Sequence, residues 1–291
     1  MEKVVAIITV YYPKTEHLLN IKKIFKQVDK LIICDNSPNI CYEIINKFPE
    51  AEYLFFGKNL GLSAAFNIVL KNPKYQWDDN TYIIFFDQDT TIPLNHINSL
   101  VNDYEYLISK GYKIGCIGPT FYNKTLQKVE IPTIKENISK SIIKVKSVIT
   151  TSMLCRYSNI KSIDLWNEEI FLDMSDWDLC WRFLDSNMSC FMSSNSVIQH
   201  NVGEDKKKIL FYKIRVWKPF REYYQIRDCL YLINKKYVPW NFRIRLLIML
   251  TIRPMMHCLF LDRRIERFKY IFRGICDYLN KVHGELNFKE K

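Results

Sequence analysis

The sequence predicts an α/β protein: a mostly parallel central sheet flanked by helices, continued by a basic helical region. Three observations predict it. Val4–Val10 is an unbroken apolar run, as a strand buried on both faces requires. Strand-like and helix-like segments alternate up to about residue 120, the signature of consecutive βαβ units. After Gly203 the composition turns basic, aromatic and helical, which divides the chain into a body, residues 1–203, and an extension, residues 204–291.

The elements follow in order. Residues 15–28 space Leu18, Ile21, Ile24, Phe25 and Val28 along one helix face. Lys30–Cys34 is a second strand, stopped by the turn cluster Asp35-Asn36-Ser37-Pro38. Cys41–Phe48 reads as a helix and Ala51–Phe56 as a third strand. The loop Gly57-Lys58-Asn59-Leu60-Gly61 leads into a helix over Leu62–Leu70. Tyr82–Phe86 is a fourth strand, ending in Asp87-Gln88-Asp89, and a helix over 94–109 follows. Ile114–Ile117 and Lys144–Thr151 read as strands around a polar, mobile stretch, 122–141. Residues 169–187 read as helical, and Val197–Gln199 as a short strand.

The chain has 291 residues, 48% hydrophobic and 25% charged, which argues against disorder. Nine cysteines and no CxxC pair suit a reducing compartment, with Cys34 and Cys190 as small core residues. No signal peptide and no apolar run of about 18 residues is visible, so the expectation is a cytoplasmic protein. The charge is uneven: 204–291 holds 21 Lys/Arg against 9 Asp/Glu, while the body is near neutral. A surface of that kind points to an anionic partner. Nucleic acid is disfavoured, because the body lacks a basic patch and carries carboxylates at its strand ends.

Those carboxylates carry the chemistry. Asp87 and Asp89 follow a buried strand, where open α/β sheets place ligands. Oxygen donors there suit hard Mg²⁺ or Mn²⁺, held by one or two carboxylates plus substrate phosphates. Asp35 ends a second strand on the same edge, placed to accept from a pyrimidine N–H or a ribose hydroxyl. Thr9 and Tyr11 close the first strand, with a tyrosine ring available to stack on a base. Asn59 and Gly61 precede a helix whose free N–H groups suit phosphate. In Asp173-Met174-Ser175-Asp176-Trp177-Asp178, helical spacing puts Asp173 and Asp176 on one face and pairs Asp178 with Arg182. Asp176 is left as the candidate general base. His200 follows a strand and is a candidate metal ligand. Arg221 and Arg227, around Tyr223-Tyr224, are candidate diphosphate grips.

In this order the pieces resemble the family 2 glycosyltransferases of the GT-A fold, and among them the rhamnosyltransferase-type enzymes of bacterial surface-polysaccharide synthesis. The resemblance spans 4–230, with Asp87-Gln88-Asp89 and the tandem tyrosines with Arg227 as its more specific marks. It implies that Asp35 binds the base and Asp87 the ribose region, with Asn67 and Gln88 also on the nucleotide-sugar side. It further implies that Asp89 binds Mg²⁺ or Mn²⁺ with His200 assisting, and that Asp176 is the base of an inverting displacement. The implied donor is dTDP-L-rhamnose, with a UDP-hexose as the alternative. The implied acceptor is a lipid-diphosphate-linked glycan. The chain departs from the pattern at Val69, at Thr150-Thr151-Ser152-Met153, where a glycine commonly follows, and at Asp228. A non-catalytic scaffold is the alternative of another class.

Trp240–Leu261 mixes Arg243, Arg245 and Arg253 with apolar residues, and Pro254 is expected to kink or end a helix. Such a segment suits the membrane interface, peripheral on the inner face, or a homodimer contact.

Overall fold

The computed structural model describes residues 3–123, 128–132, 135–200, 206–209, 212–215 and 217–286. The N-terminal body alternates β1 (Val4–Val10), α1 (Thr15–Phe25), β2 (Lys30–Asp35), α2 (Tyr42–Lys47), β3 (Glu52–Phe55), α3 (Leu62–Leu70), β4 (Tyr82–Asp87) and α4 (His96–Ser109). Each falls within a few residues of its sequence-predicted span, because each rests on local periodicity. Next come β5 (Ile114–Asn123), β6 (Lys128–Glu130), β7 (Glu136–Asn137), β8 (Ile142–Val145), β9 (Met153–Arg156), α5 (Tyr157–Ser162), α6 (Ser175–Asp185) and β10 (Ser189–His200). A two-stranded ribbon, β11 (Lys206–Ile209) and β12 (Tyr212–Arg215), precedes four helices. They are α7 (Phe220–Ile233), α8 (Trp240–Leu250), α9 (Ile252–Phe260) and α10 (Arg264–Leu279).

The central sheet runs β3-β2-β1-β4-β9-β5-β10-β8-β7, with β6 beside β5. The first four strands are parallel, so their carboxyl ends share one edge. β9 enters antiparallel between β4 and β5. The parallel character is thus concentrated in the N-terminal half and in the β5–β10 pair. Strand alternation feeds a core on each side of the sheet. Val4, Ala6 and Ile8 pack with α1 and α4, whereas Val5 and Ile7 pack with α3, Trp166 and α6.

The strand expected over Lys144–Thr151 does not form as one element. It breaks after Val145, and the chain turns through Thr150-Thr151-Ser152, with Ser152 at φ 64°. The turn is held from below: the Ser152 N–H donates to the Phe85 carbonyl at 2.7 Å, and the buried His96 ring bonds both Ser152 and Ser196. Burial lowers the His96 pKa to about 4, so the ring is neutral near pH 7. β10 is longer than the three residues its sequence suggests, because Ser193, Ser194, Asn195 and Ser196 mask its pattern. Short strands also occupy part of 122–141.

The division at 203 falls in 201–205, outside the described residues. The helices beyond it share a core with the body: Ile170, Met174 and Trp181 pack with Cys229, Leu232 and Leu246. The helix break in Trp240–Leu261 lies at Thr251, not at Pro254. Pro254 sits in the first turn of α9, where its missing N–H costs nothing.

Candidate active site

A cavity of about 440 Å³ opens at the carboxyl edge of the parallel strands. Its walls come from segments far apart in sequence. β1 supplies Thr9 and the residue just past its end, Tyr11; the loop after β2 supplies Asn36; the loop before α3 supplies Asn59 and Gly61. β4 supplies Asp87, the turn before β9 supplies Thr150 and Thr151, and the segment entering α6 supplies Asp173 and Asp176. Arg221 reaches in from α7.

Gly61 is obligatory here. Its φ is +80°, and a Cβ would lie 2.8 Å from both the Phe171 ring and the Phe171 carbonyl oxygen. Its loop is pinned by Asn36, whose Oδ1 accepts from the Leu60 N–H at 3.1 Å and whose Nδ2 donates to the Gly61 carbonyl at 3.2 Å. The Asn59 side chain accepts from the Gly61 N–H at 3.0 Å. Phe171 in turn stacks on Tyr224 of α7, with ring centroids 4.7 Å apart.

The acidic cluster separates by environment. Asp178 is fully buried, held by Arg182 Nε at 2.8 Å and by the Asn167 amide and the Tyr237 hydroxyl. Arg182 also donates to the Ile163 and Leu165 carbonyls, each at 2.6 Å, so the pair fastens α6 to the preceding loop. Asp173 precedes α6 rather than lying on it, because Met174 takes a left-handed φ of 71° and α6 starts at Ser175. Asp173 accepts from Arg221 at 3.2 Å and from Gln225 at 3.3 Å.

Asp176 faces the cavity, half-buried, and pairs with no Lys or Arg among the described residues. Among the described residues it accepts only the Trp177 N–H, at 2.8 Å. Burial raises its pKa to about 7, helped by Cys180, Asp87 and Asp173. A carboxylate so placed is poised to take a proton near neutral pH.

Other sequence candidates are engaged elsewhere. Gln88 makes two bonds to the Tyr11 backbone, tying β4 to β1. Asn67 is buried against Trp166, accepting from its N–H and donating to its carbonyl, and also meets Glu168. Arg227 is fully buried on Asp228, Tyr223 and the Gly284 carbonyl, so Arg221 takes the cavity position instead. Asp35 is buried too: its oxygens accept from the Ser37 N–H and the Tyr53 hydroxyl, and its neighbour Asn36 meets the cavity. Asp87 lines the cavity, steadied by the Thr151 hydroxyl. Asp89 lies two residues beyond and makes no hydrogen bond or ion pair among the described residues. The His200 side chain lies outside the described residues. His96 and Tyr53, which brace the site, went unnoticed in the sequence. A polar residue in the first turn of the mainly apolar inner face of α4 is the one signal that could have found His96.

A carboxylate-bearing cleft of this make, at the carboxyl edge of such a sheet, defines a glycosyltransferase of the GT-A fold. The glycosyl transferase family 2 model matches residues 8–156, and the chain belongs to that family. A curated relative, the dTDP-rhamnosyl transferase RfbF of Shigella flexneri, is 26% identical over 293 residues, covering 96% of this chain and 95% of that protein. Among solved structures, residues 1–349 of S. aureus TarS match with a TM-score of 0.51 at 13% identity, over 97% of this chain and 83% of that one. GalNAc-T7, solved with UDP, GalNAc and Mn²⁺, matches with a TM-score of 0.55 at 9% identity, over 96% of this chain and 58% of that one.

Proposed function

We propose that the protein is an inverting, metal-dependent transferase. It moves L-rhamnose from dTDP-L-rhamnose to a glycan acceptor carried on a lipid diphosphate, at the inner face of the cell membrane. The observation that carries the reading is Asp176: a carboxylate without a cationic partner among the described residues, raised to a pKa of about 7, in the same cavity as Asp87. Asp176 takes the proton of the acceptor hydroxyl as its oxygen bonds to the anomeric carbon. The bond from that carbon to the donor's phosphate oxygen breaks on the opposite side, and the diphosphate carries the electron pair away. By this reading Asn36, Asn59 and Tyr11 meet the nucleotide, and Arg221, which lines the cavity and also pairs with Asp173, meets the diphosphate.

The carboxylates fit a hard divalent cation. The Asp89 oxygens meet no partner among the described residues, Asp87 is held by Thr151, and two oxygen ligands plus donor phosphates meet the usual need of Mg²⁺ or Mn²⁺. Bound there, the cation supplies charge neutralisation for the departing diphosphate. The name of the Shigella relative supports the rhamnose donor.

The test is a donor panel: purified protein with Mg²⁺ or Mn²⁺ and dTDP-rhamnose, UDP-glucose, UDP-galactose or UDP-N-acetylhexosamines, read by release of nucleoside diphosphate. Preference for dTDP-rhamnose is expected. Preference for a UDP-sugar overturns the donor assignment, and metal-independent release overturns the cation.

A further inference from the structure

The inward face of α10 is fully occupied. Arg267, Gly274 and Asp277 are buried against α7, and a Cβ at Gly274 would lie 2.8 Å from the Tyr223 carbonyl oxygen. The opposite face is not covered by the described residues. Ile265, Phe268, Phe272, Ile275 and Leu279 follow one another three or four residues apart, so they form one stripe along the helix. Phe268 and Phe272 are 62% and 60% exposed, Ile265 76%. The two preceding helices repeat the pattern. α8 buries Leu246 and Met249 but exposes Trp240, Ile244, Leu247 and Ile248. α9 buries Pro254 and His257 but exposes Ile252, Met255 and Leu259. Three consecutive helices therefore each keep one apolar face in water, more than single surface hydrophobics account for.

The charges around these faces are one-sided. The acids of α7 and α10 are paired with cations: Glu222 with Arg267, Asp228 with Arg227, Glu266 with Arg263 and Asp277 with Arg273. The exposed Lys218, Lys236, Arg264, Lys269 and Lys281 outnumber the exposed acids of residues 217–286, Asp262 and Glu285. Stacking a second copy here would set basic surface on basic surface. An anionic bilayer offers an apolar interior for the stripes and negative headgroups for the cations. No helix among the described residues is long and apolar enough to cross a membrane, so the helices would lie in the interface.

We propose that the exposed faces of α8, α9 and α10 form a docking surface for anionic phospholipid. The surface deepens, and rests on, the lipid-linked acceptor reading above. α10 packs on α7, and Tyr224 of α7 stacks on Phe171 in the cavity wall. Docking thereby holds the sugar-transfer cavity at a fixed relation to the bilayer that carries the acceptor.

The test uses the full chain and unilamellar vesicles of phosphatidylglycerol with phosphatidylcholine, against phosphatidylcholine alone, read by co-sedimentation. Binding to the anionic vesicles is expected, weakening with salt and at least tenfold lower on the neutral ones. Phe268→Ser with Phe272→Ser should lower the partition coefficient at least tenfold. Arg264→Ser with Lys269→Ser should lower it about 25-fold, roughly fivefold per cation. The second pair keeps the test sharp if the first does not fold. Wild-type protein that stays in the supernatant overturns the surface, as does a folded Phe268/Phe272 variant with wild-type partitioning. A dimer that dissociates in that variant, without vesicle binding, also overturns it, in favour of a second copy. Release of nucleoside diphosphate from the donor is measured alongside. Wild-type protein that releases nucleoside diphosphate but binds no anionic vesicle sinks the surface alone; wild-type protein that binds the vesicles but releases none sinks the transferase reading alone.

Discussion

Asp176→Asn should make the protein more stable and nearly inactive at once, and the two effects share a cause. In the folded state the Asp176 pKa rises from 3.8 to about 7. Three units correspond to about 4 kcal/mol of unfavourable interaction with the charged form. Water at the mouth of the cavity screens part of that, leaving about 1–2 kcal/mol. The sign follows from proton binding: between pH 4 and 7 the folded state holds this proton and the unfolded state does not. Stability contributed by the protonated group is therefore full below about pH 4 and lost as pH rises through about 7. Asparagine carries no charge and can still accept from the Trp177 N–H. The variant should thus melt roughly 3–6 °C higher than wild type at pH 8, with the gain shrinking towards pH 5. Its turnover should fall by about 10²–10⁴-fold, the usual contribution of a general base. In the wild type, kcat/KM should rise about tenfold per pH unit and level off near pH 7. The assays are thermal melts at pH 5 and 8 and nucleoside diphosphate release across pH. A variant within tenfold of wild-type turnover, or a stability gain independent of pH, would refute the reasoning.

Asp89→Asn should remove metal-dependent turnover while leaving the melting temperature within about 1 °C, since no partner among the described residues is lost; a surface substitution of this kind normally moves stability by less than 0.5 kcal/mol or so. Gly61→Ala should destabilise by about 1–3 kcal/mol in urea titrations, because the φ of +80° and the Phe171 contact both oppose a side chain. Donor affinity by calorimetry should fall with it. Arg182→Ala should be the most damaging to the fold, at about 3–5 kcal/mol, because it strands the fully buried Asp178 carboxylate; a loss under 1 kcal/mol or so would mean that Tyr237 and Asn167 suffice.

The sequence by itself determined whatever depends on neighbours within a strand or a helical turn. The run Val4–Val10, the helix over Leu62–Leu70 and the strand ending at Asp87 were legible because apolar periodicity is local. So was the Asp178–Arg182 pair of α6, whose members lie one turn apart. Tertiary structure alone decided the rest. Gln88 reaches Tyr11 across 77 residues, and Asn67 reaches Trp166 across 99. No spacing rule shows that these amides are already engaged when the chain folds. The choice of Arg221 over Arg227 for the cavity was equally invisible, since both sit on α7 and only the packing of Tyr223, Asp228 and the Gly284 carbonyl buries one of them. The apolar stripe of α10 reads as a core face until the sheet, α7 and the helices around it are in place. Burial is a property of the whole fold, so which apolar face meets the core and which meets the solvent had to wait for the structure.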